Sequence, residues 1–143
     1  MVKKHTMDLV WEKVGFSELD EVEDCHFYAF TRGNSLLYLG MTWDQDIQSE
    51  VKQSLKDFGA NNLGLSIWMG YIVKTSAKRL SPQLIQDAEA LLIRNHGPLW
   101  NNHHVHSYRG RDNLVLSNTG LPLLNLCIQI RGETIYYTNE MAV

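Results

Sequence analysis

Residues 25–42 read CHFYAFTRGNSLLYLGMT. Cys25 to Phe30 is rich in aromatic strand formers, and Arg32-Gly33-Asn34-Ser35 is turn chemistry. Leu36-Leu37-Tyr38-Leu39 then resumes an extended apolar pattern. Two such runs around a Gly/Asn turn read as a β-hairpin. Its register decides which side chains share a face, and the residues leave it open. A loop from Arg32 to Ser35 pairs Thr31 with Leu36 and Ala29 with Tyr38, placing Tyr28 and Tyr38 on opposite faces. A loop of only Arg32-Gly33-Asn34 pairs Thr31 with Ser35 and sets Tyr28 opposite Tyr38. A bulge in the longer hairpin achieves the same end.

Outward from the hairpin, the spacing predicts a helix from about Asp46 to Phe58. Ile47, Val51, Leu55 and Phe58 form one apolar stripe, Asp44 and Asp46 favour the start, and Gly59 sits where glycine ends a helix. Leu65 to Lys74 is apolar and rich in strand formers, and reads as a central strand. A second helix is punctuated by Ser81 as N-cap, Pro82 at the first helical position and Gly97 at the stop. Two more strand-like pieces follow, Leu114 to Leu116 and Leu126 to Thr138, the second bent at Arg131-Gly132-Glu133. Residues 17–24, SELDEVED, read as a solvated acidic approach to the first strand. The order of hairpin, helix, strand, helix and further β predicts an α+β fold, with helices on a small mixed sheet.

The chain has 143 residues with 13 Lys+Arg against 16 Asp+Glu, a formal net charge of −3. This length suits one domain with its own hydrophobic core. No apolar run approaches the roughly 18 residues that span a bilayer, so no membrane partner is expected. Met1-Val2-Lys3-Lys4-His5 has no apolar stretch behind its basic residues, so no secretory signal is visible. Cys25 and Cys127 are too few for a disulfide framework and read as free thiols, with the cytoplasm as the expected compartment. The charge balance speaks against a basic coat made for nucleic acid.

His26-Phe27-Tyr28, then Tyr38-Leu39-Gly40-Met41-Thr42, an amphipathic helix, a strand, a helix carrying Glu89, and Pro98-Leu99-Trp100-Asn101 follow one another in an order that resembles the GIY-YIG nuclease family. The resemblance covers about residues 25–102 and leaves residues 105–143 as a C-terminal β extension of a single domain. It implies metal-dependent hydrolysis of phosphodiester bonds in nucleic acid, DNA more than RNA. Glu89 would hold one Mg²⁺ or Mn²⁺, and Tyr28 or Tyr38 would position or deprotonate the attacking water. Gly40 would let the backbone approach the substrate, and Asn101 would help order the site. One carboxylate is enough for Mg²⁺, which keeps several waters and takes phosphate oxygens as its other ligands.

Beside the resemblance, Glu89 lies angularly between Ile85 and Ile93, on the shoulder of an apolar stripe, where a carboxylate is partly desolvated. Trp43, directly after the YLGMT run, reads as a surface contact that could stack on a base, whereas Trp68 reads as core. The family also carries an arginine on its first helix, with an apolar core residue three positions before it and another directly after. Ile47 and Val51 occupy those core positions here, so Glu50 stands in the arginine's place and Ser54 one turn later. A carboxylate there repels a phosphate. Lys52 lies about 160° away around the helix, and Arg32, Lys78, Arg79 and Arg94 remain unplaced. The alternative expectation is therefore a catalytically degenerate binding module for nucleic acid or a protein partner. His103, His104 and His106 lack a Cys cluster or third carboxylate nearby, so NNHHVHSYRGR reads as a polar loop suited to phosphate contact.

Overall fold

The computed structural model describes residues 3–58, 64–102, 105 and 107–139. Its strands are β1 (His5–Val14), β2 (Phe27–Arg32), β3 (Ser35–Met41), β4 (Leu65–Thr75), β5 (Leu114–Thr119), β6 (Cys127–Arg131) and β7 (Thr134–Thr138). Two α-helices, α1 (Ile47–Asp57) and α2 (Pro82–His96), and one 3₁₀ turn over Phe16–Glu21 complete the fold. The seven strands form one sheet in the order β3-β2-β4-β1-β5-β6-β7. Only β1 and β5 run parallel among the described pairs, which makes the sheet mixed and the fold α+β as expected.

Each face of the sheet carries its own core. Phe27, Ala29 and Leu39 pack with Met7, Leu9, Trp11 and the apolar stripe of α2. Tyr28, Phe30, Ile67 and Met69 point the other way and pack with Ile47, Val51 and Leu55 of α1. This alternation is the two-residue period of a sheet covered on both sides. α2 has the predicted ends: the Ser81 hydroxyl accepts from the Leu84 amide, Pro82 opens the helix, and Gly97 closes it at φ 54°. α1 begins after Asp46 as expected, whereas Gly59 lies outside the described residues.

Three features depart from the sequence reading. The N-terminal segment, left unassigned above, forms the central strand β1. Met7, Leu9 and Trp11 alternate inward along it. Because β1 pairs with both β4 and β5, residues 114–138 continue the same sheet as residues 27–75. The SELDEVED stretch is not merely solvated: Leu19 and Val22 are buried in the α1-side core, and Asp20 pairs with Lys52 at 2.8 Å. Finally, the bent strand is a hairpin. β6 and β7 pair antiparallel around a tight turn with Gly132 at φ 58°.

Candidate functional site

The hairpin register is settled by a bulge. Thr31 pairs with Leu36 and Arg32 with Ser35, but beyond the irregularity at Phe30/Thr31 the partners become Phe30 with Tyr38 and Tyr28 with Gly40. Leu37 and Tyr38 therefore both turn toward the α1-side core, with Leu36 and Leu39 on the other face. One extra residue resets the alternation and brings Tyr38 onto the face of Tyr28. The two rings lie with centroids 5.8 Å apart.

Tyr28 is fully buried. Its ring lies across Gly40, where a β-carbon would collide with it. The space over Gly40 is thus filled by the chain itself, and the glycine serves the tyrosine rather than a substrate. The Tyr28 hydroxyl donates to Glu50 Oε1 at 3.2 Å and shares a hydrogen bond of 2.6 Å with Ser54 Oγ. The Tyr28 hydroxyl is thus fully engaged within the chain. Tyr38 is half-buried, its ring beside that of Tyr28, so it is the tyrosine of the pair that a ligand can reach. Phe58 meets the Tyr38 ring edge-on at 4.8 Å, and Trp100 lies 5.1 Å from Phe58, which ties the Pro-Leu-Trp-Asn segment to the site.

Asn101 secures the exposed edge of the sheet. Its side-chain oxygen accepts from the Leu39 amide at 3.0 Å, and its side-chain nitrogen donates to the Leu39 carbonyl at 2.9 Å. The Trp100 amide adds a bond to the Leu37 carbonyl, beside the bulge. An amide side chain here imitates a neighbouring strand and satisfies an edge that would otherwise be open. Replacing Asn101 with Ala is expected to cost about 1–3 kcal/mol by leaving both Leu39 groups without partners. Hydrogen exchange at the Leu39 amide should accelerate in that variant; unchanged exchange would contradict this role.

Glu89 reaches the same place from α2. It acts electrostatically on Tyr38 and is acted on by Glu50. Burial, reinforced by the Glu50 charge, pushes its carboxyl up to about 7. Burial, with Tyr38 and the Glu50 charge adding, pushes the Tyr28 hydroxyl far above the ordinary tyrosine range. Burial and then Glu89 push Tyr38 the same way. Burial and the neighbouring acidic charges thus favour the neutral form of both hydroxyls. The charged side chains that shift these groups are Glu50, Glu89 and Asp57, all acidic. Lys52 is turned away toward Asp20, and Arg94 donates to the Val105 carbonyl.

Tyr28, Tyr38, Gly40, Glu89 and Asn101 thus converge at the β3 edge, and Trp43 does not join them. Trp43 stacks on His26 at 5.1 Å and packs into the α2-side core, lining a separate cavity with Gln45, Asp46 and Gln48. One face of its indole is already covered, which counts against a free base-stacking platform. Trp68 is half-buried, its indole nitrogen donating to Thr31 Oγ1. His103, His104 and His106 lie outside the described residues. Cys25 and Cys127 are free thiols, Cys25 buried.

Sequence reasoning missed Ser54 as the anchor of the Tyr28 hydroxyl, and it read Arg109 as part of a phosphate-contacting loop without placing that loop at the Glu89 cavity. Arg109 lines a cavity of about 370 Å³ with Met41, Gln83, Gln86 and Glu89. No local pattern announces either contact, because both partners are distant in sequence.

Comparison of the chain with family models, curated proteins and solved structures finds no match. What the fold itself defines is an α+β domain with a mixed seven-stranded sheet. Among the described residues no helix is long and apolar enough to cross a membrane.

Proposed function

We propose that this chain is a GIY-YIG-type domain that hydrolyses phosphodiester bonds of nucleic acid with the help of one divalent cation. The observation that carries the reading is the bulge at Leu37, which turns Tyr38 onto the face of Tyr28 on the edge strand whose Met41 lines one cavity with Glu89 of α2.

The donor set fits a hard cation. Burial and the Glu50 charge raise the cost of ionising Glu89, and neither carboxylate belongs to the ion pairs formed among the described residues. No group of three His, Cys, Asp or Glu ligands is assembled among the described residues. That pattern suits Mg²⁺ or Mn²⁺, which accept one or two carboxylates and complete their shell with water and phosphate oxygens. Such an ion, when bound, supplies positive charge to the phosphate. The chain's own contributions are distinct. Tyr38 orients a water through its neutral hydroxyl, and Tyr28, held by Ser54 and Glu50, fixes the Tyr38 ring. Asn101 keeps β3 in place, and Glu89 presents a carboxylate that is half-ionised near neutral pH.

The test is cleavage of duplex DNA in Mg²⁺ or Mn²⁺, which Glu89→Gln should abolish. Cleavage undiminished in that variant would reject the assignment. A readout independent of turnover is thermal stability. Metal should raise the Tm at pH 8 and have little effect at pH 5, where Glu89 keeps its proton.

A second reading rests on one specific observation: Glu50 accepts a hydrogen bond from Tyr28 in the place where the family resemblance expects an arginine. On that reading the domain is a binding module for nucleic acid or a protein partner, and no divalent metal gives turnover. Cleavage by the unmodified chain would sink it.

A further inference from the structure

With Glu50, Glu89 and Asp57 acting on the tyrosines, the α1 side of the site repels a phosphate, and a positive group has to come from elsewhere. The loop after α2 is built to deliver one. Arg111 forms an ion pair with Asp87 of α2 at 2.8 Å, and Asp87 is buried and also accepts from Gln83 at 2.7 Å. The Tyr108 hydroxyl donates to the Arg111 carbonyl at 2.7 Å. The Tyr108 ring covers Gly110 so closely that a β-carbon there would collide with it. These contacts pin residues on both sides of Arg109 against α2. Arg109 itself is exposed and takes part in neither ion pair formed among the described residues. It lines the cavity of about 370 Å³ that also holds Glu89, Gln83 and Gln86.

We infer that Arg109 anchors a phosphodiester group of a nucleic-acid strand in this cavity, supplying from the Tyr108–Arg111 loop the positive charge that α1 lacks. This rests on the reading of the domain as one that acts on nucleic acid. The cavity offers the anion a guanidinium and two amide side chains, the donor types that bind phosphate oxygens. Of its two carboxylates, Asp87 is already paired with Arg111, and the Arg109 charge offsets the repulsion between Glu89 and the anion.

The experiment is fluorescence anisotropy of a labelled duplex DNA oligonucleotide across a series of salt concentrations. It uses the full chain, Arg109→Ala, Arg109→Lys, and Lys13→Ala as a charge control lining a different cavity. Losing one phosphate contact should make the slope of log K against log salt shallower by about 0.9 and weaken binding several-fold. Arg109→Lys should keep the slope, and Lys13→Ala should match the unmodified chain. Arg109→Ala should melt at the unmodified Tm, because an exposed side chain outside these ion pairs holds nothing together. An Arg109→Ala slope and affinity equal to those of the unmodified chain would overturn this inference while leaving the wider reading intact. An unmodified chain that shows no salt-dependent DNA binding would overturn both.

Discussion

Glu89→Gln is expected to stabilise the fold at pH 8 by about 2–3 kcal/mol, which is roughly 10 °C in Tm, and to leave it nearly unchanged at pH 4. The carboxyl titrates at 4.5 in an ordinary setting and at about 7 in the folded chain, through burial first and the Glu50 charge second. Between those values the folded chain holds a proton that the unfolded chain has released. The stabilising contribution of the neutral carboxyl is fully present below pH 4.5 and is lost as pH rises through about 7. Glutamine stays neutral throughout, so its advantage grows across that window and then levels off. Glu50→Gln should act in the same direction and more weakly, because its side-chain oxygen still accepts from Tyr28 while the repulsion disappears. Thermal melts at the two pH values are the measurement. A Tm difference independent of pH would show that Glu89 is ordinary. A residue whose removal stabilises the protein and abolishes cleavage would carry the thermodynamic mark of a functional site.

The second large effect concerns Gly120, which follows β5. Its φ is 100°, and a β-carbon there would strike the Trp11 carbonyl oxygen, an atom of the central strand that cannot step aside. Gly120→Ala combines a strained backbone, about 1–3 kcal/mol, with overpacking of about the same size. The expected loss is about 3 kcal/mol or more, a large share of the roughly 5–15 kcal/mol that a domain possesses. The neighbouring hydrogen bond from the Trp11 indole to the buried Asn118 side chain, 3.0 Å long, should break as the strands part. Urea denaturation gives the answer. A variant within about 0.5 kcal/mol of the unmodified chain would mean that β1 and β5 can slide to accommodate it.

The parts of the fold legible in the sequence were those fixed by local chemistry. Ser81, Pro82 and Gly97 mark the ends of α2 because capping involves only the helix itself. Ile47, Val51 and Leu55 mark the buried face of α1 for a similar reason. β1 was legible in principle, since Met7, Leu9 and Trp11 alternate with Asp8, Val10 and Glu12. Its place between β4 and β5 was not, because pairing partners so far apart leave no local trace. In the site, Tyr28, Tyr38, Glu89 and Asn101 do come together at one sheet edge. The choice of bulge was undetermined because it depends on tertiary packing: Leu37 and Tyr38 both gain from facing α1. The placement of Glu50 followed from the family resemblance together with the apolar spacing of Ile47 and Val51, and its side chain does face Tyr28. Arg109 was legible as part of a loop suited to phosphate contact, but its place was not, because it depends on Asp87 and Tyr108 and nothing in Tyr-Arg-Gly-Arg says which way the loop folds.

The bulge at Leu37 also sets a rule of odd and even for descent. Adding or deleting one residue within β2 or β3 between Tyr28 and Tyr38, away from the turn and the bulge, sends one hydroxyl to the far side of the sheet, whereas changes of two are silent. Other chains with this hairpin are therefore expected to differ in strand length by even numbers, or by one only where the bulge itself has been gained or lost. A search that demands a fixed tyrosine spacing would pass over the second kind, even though its hydroxyls meet in the same place.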